Sequence, residues 1–240
     1  MSKAAKERAV ARRVVAQQKA AEKRRTVTLW TTVAVVAVLV IAGVIGYGAY
    51  ASQRDDTAGA ATPAATVDDG TAFAAGSGPV TVDIYEDFMC PVCNQFEKAA
   101  GPTLQQLITD KKVTVRYHPI AILDRYSNGT RYSTRSAAAS AAAGDAGKFE
   151  QYHQVLYDNQ PAENSNGLDN AELIELGRSV GLTDPSFAEA VNSGKYESWA
   201  TKVTETASAR GVTGTPTVLV AGKQLTNPTP AELQKAVDAA

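Results

Sequence analysis

The sequence predicts an α/β fold: a mixed β-sheet packed by helices, interrupted by a helical insertion and preceded by one N-terminal transmembrane helix. Residues 80–85 alternate apolar and polar side chains and are rich in β-branched residues, as in a strand. Residues 132–210 have helical spacing punctuated by glycines. An uncharged stretch before residue 54 is long enough to cross a bilayer.

Each element follows from its local pattern. The strand at 80–85 is followed by a helix from Cys90 to Lys111 and a second strand over 112–118. The insertion contains segments of helical periodicity, which cover residues 137–143, 149–157, 171–180, 186–191 and 198–209. Two short strands, 217–220 and 223–225, then form a hairpin, and a helix over 229–239 closes the chain.

The N-terminal segment predicts a membrane anchor. Residues 1–25 contain nine Lys or Arg and two Glu, whereas residues 26–53 contain no charged residue. Residues 28–50 reach the length of a spanning helix, and the basic flank before them orients the N-terminus toward the cytoplasm. A cleaved signal peptide is the alternative, since Ala49-Tyr50-Ala51 fits a small-x-small cleavage pattern. Either reading places the remainder of the chain outside the cytoplasm.

The domain organisation follows from composition. We predict a cytoplasmic tail at 1–27, the anchor at 28–50, a flexible linker at 51–69 and one folded domain at 70–240, with its helical insertion at about 125–210. Residues 77–240 contain fourteen Lys or Arg against nineteen Asp or Glu. This acidic balance excludes the basic face that nucleic-acid binding requires, so no nucleic-acid partner is expected.

The only two cysteines of the chain are Cys90 and Cys93, where the first strand gives way to a helix. A helix N-terminus stabilises a thiolate, and Pro91 is well tolerated in the first turn. Half of a metal site, an inert disulfide and unrelated buried thiols are the alternatives. The strand-to-helix position and the predicted export favour redox chemistry. We therefore expect Cys90 to be the exposed nucleophile and Cys93 the buried resolving thiol.

A second motif precedes the hairpin. Residues 211–217 read Gly-Val-Thr-Gly-Thr-Pro-Thr, which places Pro216 at the entry of a strand. Proline lacks the N–H that a strand needs, so this position calls for a special backbone geometry. A cis Thr215–Pro216 bond that lies against the cysteine pair is the prediction, and a simple turn proline is the alternative.

These motifs together resemble the DsbA-like branch of the thioredoxin superfamily. The resemblance rests on the strand at 80–85, the run from Glu86 to Cys93, residues 211–216 and the helical segment 152–157. It implies a thioredoxin-like fold with an inserted helical subdomain. It also implies that Cys90 and Cys93 form the redox disulfide and that Thr215 and Pro216 bind substrate in an extended conformation. No cofactor and no metal are expected.

The resemblance implies an enzyme, a protein thiol:disulfide oxidoreductase that introduces disulfides into exported proteins with free thiols. A membrane oxidase would regenerate it. A reductase or isomerase, or a non-catalytic binding module of the same fold, are the alternatives. Val92 stands where the best-known oxidant of this branch has His, and Ile84 where that oxidant has a buried acid.

Four other polar residues have no predicted catalytic part. Asp83 and Glu86 are predicted to be solvated surface carboxylates, and the buried acid that the resemblance implies near the active site is the alternative for each. His118 and His153 are predicted to be packing or hydrogen-bonding residues.

Overall fold

The computed structural model describes residues 61–240. The predicted cytoplasmic tail and the transmembrane anchor at 28–50 lie outside these residues. Within 61–240, no helix combines the length and the apolar character that a membrane crossing requires.

A six-stranded mixed sheet forms the centre of the domain, in the order β1-β2-β4-β3-β5-β6. Only β3 and β4 pair in parallel, and every other neighbouring pair is antiparallel. The strands are β1 (Thr66–Val67), β2 (Ala72–Gly76), β3 (Val80–Glu86), β4 (Val113–Pro119), β5 (Thr217–Val220) and β6 (Lys223–Gln224).

Seven α-helices lie among the described residues, and their positions agree with the predicted helical segments. They are α1 (Pro91–Thr109), α2 (Tyr132–Asp145), α3 (Phe149–Asp158), α4 (Asn170–Ser179), α5 (Pro185–Ser193), α6 (Glu197–Ala209) and α7 (Pro230–Asp238). A short 3₁₀ helix covers Asp124–Tyr126. The insertion therefore contains α2 to α6, as the sequence predicts.

Helix α1 connects the two parallel strands. It leaves the carboxyl end of β3, runs through Pro102 and returns to β4. Two parallel strands need such a crossover, and this one places the first turn of α1 beside the carboxyl end of β3. The two cysteines lie at this end of the sheet.

The predicted linker ends earlier than residue 69. Thr66 and Val67 pair with Phe73 and Ala72, and Pro63 is buried. The Asp68 carboxylate forms ion pairs with Arg116 and Arg210. The prediction that residues 63–69 are a flexible tether is therefore wrong, because backbone pairing and these two ion pairs attach them to the sheet.

The inserted helices pack against the sheet through aromatic side chains. Phe73 of β2 stacks on Phe149 of α3 at 4.4 Å between ring centroids and meets Trp199 of α6 edge-on at 5.6 Å. Tyr117 of β4 lies beside Phe73 in register and contacts His153 of α3 at 4.8 Å. Helix α3 thus packs over β2 and β4.

Asp83 is buried, which contradicts its interpretation as a solvated carboxylate. It lies on β3, a central strand with neighbours on both sides, and only 6% of its surface is exposed. Arg116 Nε and His118 Nε2 from β4 lie 2.6 and 3.2 Å from its Oδ1. These partners hold the pKa of Asp83 below its usual value although burial would raise it. His118 is a hydrogen-bonding residue, as predicted.

Candidate active site

The segment between β3 and α1 is shaped by the Asp87 carboxylate. Its Oδ1 accepts the backbone N–H of Met89 and its Oδ2 that of Leu123, both at 2.9 Å. The backbone oxygen of Asp87 accepts the N–H of Cys90 at 2.9 Å. Burial raises the pKa of this carboxyl to about 7 against the hydrogen bonds it accepts. The buried Asp87 side chain thus fixes the backbone that precedes the cysteine motif.

Gln160, just beyond α3, forms hydrogen bonds with the segment between β3 and α1. Its Nε2 donates to the backbone oxygens of Phe88 at 3.0 Å and Cys90 at 2.9 Å. Asn94 Nδ2, in the first turn of α1, donates to Tyr157 O and to Gln160 Oε1. The insertion therefore holds the helix that carries the cysteines in place.

Cys90 and Cys93 lie as predicted at the start of α1. Cys90 is the N-cap residue, Pro91 is the first helical residue, and Cys93 lies one turn inside; both cysteines are free thiols. The Thr215–Pro216 bond is cis, and Thr215 O lies 3.5 Å from Cys90 Sγ. The predicted cis bond and its contact with the cysteine pair are confirmed.

The predicted exposure of Cys90 is wrong. Only 6% of Cys90 is accessible, and Cys93 is fully buried. Thr215 covers Cys90, since a backbone oxygen on the neighbouring strand entry lies in contact with its sulfur. Val92, between the cysteines, is 55% exposed. Val92 is therefore the exposed apolar side chain beside the buried Cys90.

Compared with an ordinary cysteine, Cys90 has a lowered pKa and Cys93 has a raised pKa. A hydrogen bond from the Cys93 side chain lowers the pKa of Cys90 to about 6, with further contributions from Thr215 and backbone N–H groups of α1. Burial raises the pKa of Cys93 well above its usual value, and the thiolate of Cys90 and the charge of Glu86 raise it further. At neutral pH the reduced pair is one thiolate and one thiol.

We expect iodoacetamide to alkylate Cys90 with a midpoint near pH 6, while Cys93 stays unmodified up to about pH 9. Peptide mass mapping after brief labelling at each pH measures both sites. Cys93→Ala removes the hydrogen-bond donor and should raise the midpoint of Cys90, whereas Cys93→Ser, which keeps a donor, should raise it less. A Cys90 midpoint near the ordinary value of 9, or faster labelling of Cys93, would contradict the assignment.

A buried cluster of Glu86, Glu97 and His153 lies behind the cysteines. Glu86 is 1% exposed, so its interpretation as a surface carboxylate is wrong. His153 Nε2 lies 2.6 Å from Glu86 Oε1, and Tyr157 Oη donates to Glu86 Oε2 at 3.2 Å. The carboxyl end of β3 points Glu86 inward, where α3 covers it. His153 is buried and hydrogen-bonded, as predicted.

The charges of this cluster depend on one another. Burial alone would lower the pKa of His153, but the charge and the hydrogen bond of Glu86 raise it to about 9. Burial raises the pKa of Glu97 to about 7 despite the attraction of His153. At neutral pH, His153 is therefore an imidazolium paired with Glu86.

His153 and Glu97 of this cluster, together with Asp87, should make the domain less stable as pH rises. His153, Asp87 and Glu97 each have a folded pKa above the unfolded value, so the folded state holds protons more tightly. Their joint stabilisation is complete below about pH 4 and is lost as pH rises through 7 and then 9. Urea unfolding at pH 5, 7 and 9 measures it. The disulfide form should be used, because the lowered pKa of Cys90 acts in the opposite direction. A free energy of unfolding that rises over this range would contradict the expectation.

Glu97 and His153 were not predicted as site residues, although the sequence indicates that both are buried. Glu97 follows Cys93 by four positions, so both lie on the buried face of α1. His153 lies between Phe149 and Tyr157 at spacings of four, on the apolar face of α3. No local signal indicates Gln160, whose role depends on where the insertion ends.

Comparison with known proteins agrees with this geometry. A family model described as thioredoxin matches residues 69–239. The chain belongs to the thioredoxin family. Within that family, the reduced form of a disulfide bond oxidoreductase (DsbG) from Mycobacterium tuberculosis is 37% identical, with a TM-score of 0.64 over 72% of this chain and 88% of that chain. Reduced DsbA from the same organism is 36% identical, with a TM-score of 0.62 over 71% of this chain and 92% of that chain.

These neighbours confirm the resemblance of this thioredoxin-family chain to the DsbA-like thiol–disulfide oxidoreductases. Among curated relatives, the serine/threonine-protein kinase PknE of Mycobacterium tuberculosis is 32% identical over 162 residues. That match covers 63% of this chain and 28% of the kinase, so the chain spans little more than a quarter of that relative.

Proposed function

We propose that this chain oxidises pairs of thiols in exported proteins, outside the cytoplasm, through a disulfide between Cys90 and Cys93. Its membership of the thioredoxin family and its likeness to DsbA-like oxidoreductases support the reaction class. The acidities of the two thiols support the direction of electron flow.

The observation that carries the proposal is the position of Cys90 at the N-cap of α1, 3.5 Å from Thr215 O of the cis Thr215–Pro216 bond. A hydrogen bond from the Cys93 side chain lowers the pKa of Cys90 to about 6 at this position. A thiolate that the protein stabilises favours the reduced form of the pair. A disulfide whose reduced form is favoured is a good oxidant and gives up its bond readily to a substrate. The lowered pKa of Cys90 therefore supports oxidation of substrates, and a measured reduction potential distinguishes this from their reduction.

The reaction proceeds in two exchanges. A substrate thiolate attacks Cys90 Sγ, a mixed disulfide forms, and Cys93 leaves as a thiolate that takes up a proton, in keeping with its raised pKa. The second substrate thiolate attacks the substrate sulfur of the mixed disulfide and releases Cys90 as a thiolate. Two electrons pass from the substrate dithiol to the protein disulfide. A membrane oxidase that accepts two electrons would restore the disulfide.

Thr215 and Pro216 would hold the substrate beside Cys90. The backbone of Thr215 precedes β5 and contacts the Cys90 sulfur, which suits an extended peptide that pairs with this short stretch. The exposed side chain of Val92 would contact apolar substrate residues next to the reacting cysteine.

Residues 28–50 would anchor the chain, with the N-terminus in the cytoplasm and residues 61–240 outside. The support is the uncharged stretch with its basic flank. Protease treatment of intact cells should digest the domain, and the chain should fractionate with membranes. A secreted product that begins at Ser52 would instead indicate a cleaved signal peptide.

Equilibration with glutathione redox buffers tests the direction. A reduction potential at or above about −180 mV, the value typical of protein disulfide isomerase, would support an oxidase. A potential near the thioredoxin value of about −270 mV would favour the reductase alternative. Refolding of a reduced, disulfide-containing protein provides the second readout, with the Cys90→Ala variant as control. A chain that neither oxidises nor reduces thiols would be a binding module.

A further inference from the structure

The buried cluster of Glu86, Glu97 and His153 has the arrangement of a cation site. One ligand atom from each of the three side chains lies within 4.8 Å of the other two. Glu86 and His153 already meet at 2.6 Å. Glu97 is 9% exposed, and its buried Oε1 has no hydrogen-bond partner among residues 61–240. A buried carboxylate oxygen without a donor is costly, which points to a missing ligand.

Glu97 has no ion-pair partner among the described residues, because His153 pairs with Glu86 at 2.6 Å. A divalent cation placed between the three side chains would contact both carboxylates and satisfy Glu97 Oε1.

We propose that Glu86, Glu97 and His153 bind a divalent transition-metal ion of the Zn²⁺ type. Two carboxylates and an imidazole form a set of oxygen and nitrogen donors that suits Zn²⁺, Co²⁺ or Mn²⁺. Bonds of about 2.1 Å in a tetrahedral site place ligand atoms roughly 3.4 Å apart, so the cluster needs only small side-chain adjustments. Water would complete the coordination.

A pocket of about 360 Å³ provides the entry path. Glu97 and His153 form part of its wall, together with Tyr117 and Glu150. The pocket therefore connects the cluster to solvent and has room for coordinated water. On the other side, Tyr157 Oη donates to Glu86 Oε2 and orients that carboxylate, as supporting residues do in metal sites.

The cluster would bind a cation whether or not Cys90 and Cys93 exchange disulfides with a substrate. Cys90 and Cys93 would compete for Zn²⁺ as thiolates, so the test uses full-length protein in detergent with the Cys90–Cys93 disulfide closed. Zn²⁺ is titrated against a chromophoric chelator, and Co²⁺ is added separately as a spectroscopic probe. We expect one equivalent to bind and cobalt d–d bands to appear without a sulfur-to-metal charge-transfer band.

The variants locate the site. Glu97→Gln should weaken Zn²⁺ binding at least about tenfold, and His153→Gln at least as much, because each removes a ligand. Glu189→Gln, an exposed carboxylate on α5, should leave the affinity unchanged. Binding should release protons to the buffer, since His153 coordinates only as the neutral imidazole.

Two results would overturn the proposal. The first is a disulfide-closed protein that binds Zn²⁺ no more tightly than about millimolar. The second is a Glu97→Gln variant that is folded by circular dichroism and binds Zn²⁺ as tightly as the parent. Glu97→Gln decides the question even if His153→Gln does not fold, since Glu97 makes no hydrogen bond at its buried oxygen.

Discussion

Cys93→Ala will accumulate a covalent complex with a disulfide-containing substrate, whereas Cys90→Ala will accumulate almost none. In the parent protein the pKa of Cys90 is about 6; loss of the Cys93 hydrogen bond raises it, but Cys90 at the start of α1 still attacks a disulfide as its thiolate and forms a mixed disulfide. Without Cys93 nothing inside the protein resolves that bond. In Cys90→Ala the remaining thiol is fully buried and its pKa is raised, so its exchange rate should be lower by at least about 100-fold.

Non-reducing electrophoresis after incubation with a disulfide-bonded peptide measures the complex, and dithiothreitol should release it. The matched control is Cys93→Ser, which should trap the peptide as Cys93→Ala does, because serine cannot resolve a disulfide either. Equal trapping by Cys90→Ala and Cys93→Ala would show that the start of α1 does not select the nucleophile.

His153→Gln will destabilise the domain by about 3–5 kcal/mol at pH 7, because it leaves the Glu86 carboxylate buried without a cation. The double variant Glu86→Gln and His153→Gln should recover part of this loss, since two neutral amides leave no buried charge. Urea unfolding of each single variant and of the double variant measures the coupling.

Asp158→Asn is the matched control for His153→Gln. It removes a carboxylate charge from an exposed position on the same helix, α3, and should change the free energy of unfolding by less than about 0.5 kcal/mol. If His153→Gln were as mild as this control, or if the double variant were the least stable of the set, the buried ion pair would not have the role assigned to it.

The order of elements was predictable from residues 80–240 because local periodicity determines it. The alternation of residues 80–85 identified β3, and the helical spacing identified all five helices of the insertion. Strands β1 and β2 were missed. Ala72–Gly76 has no alternation of polar and apolar residues, and Thr66–Val67 has only two residues, so neither forms a local pattern.

The cysteine motif and the cis-proline segment were predictable because each has a short sequence signature. The buried cluster was not, because it joins Glu86, Glu97 and His153 from three elements that meet only after folding. Asp83 and Glu86 were misinterpreted for a related reason. Charge alone suggests a surface position, whereas the central place of β3 in the sheet buries both side chains.

The two outer strands, β1 and β6, bear on how this domain avoids self-association. Each has only two residues, and β6 is exposed. A long free edge offers unpaired N–H and C=O groups to strands of other molecules and so promotes aggregation. Within residues 61–240, both margins of the sheet are too short to serve as such a template. A domain whose substrates are incompletely folded chains would therefore bind them at the cysteines, and their strands would not add to the margins of its sheet.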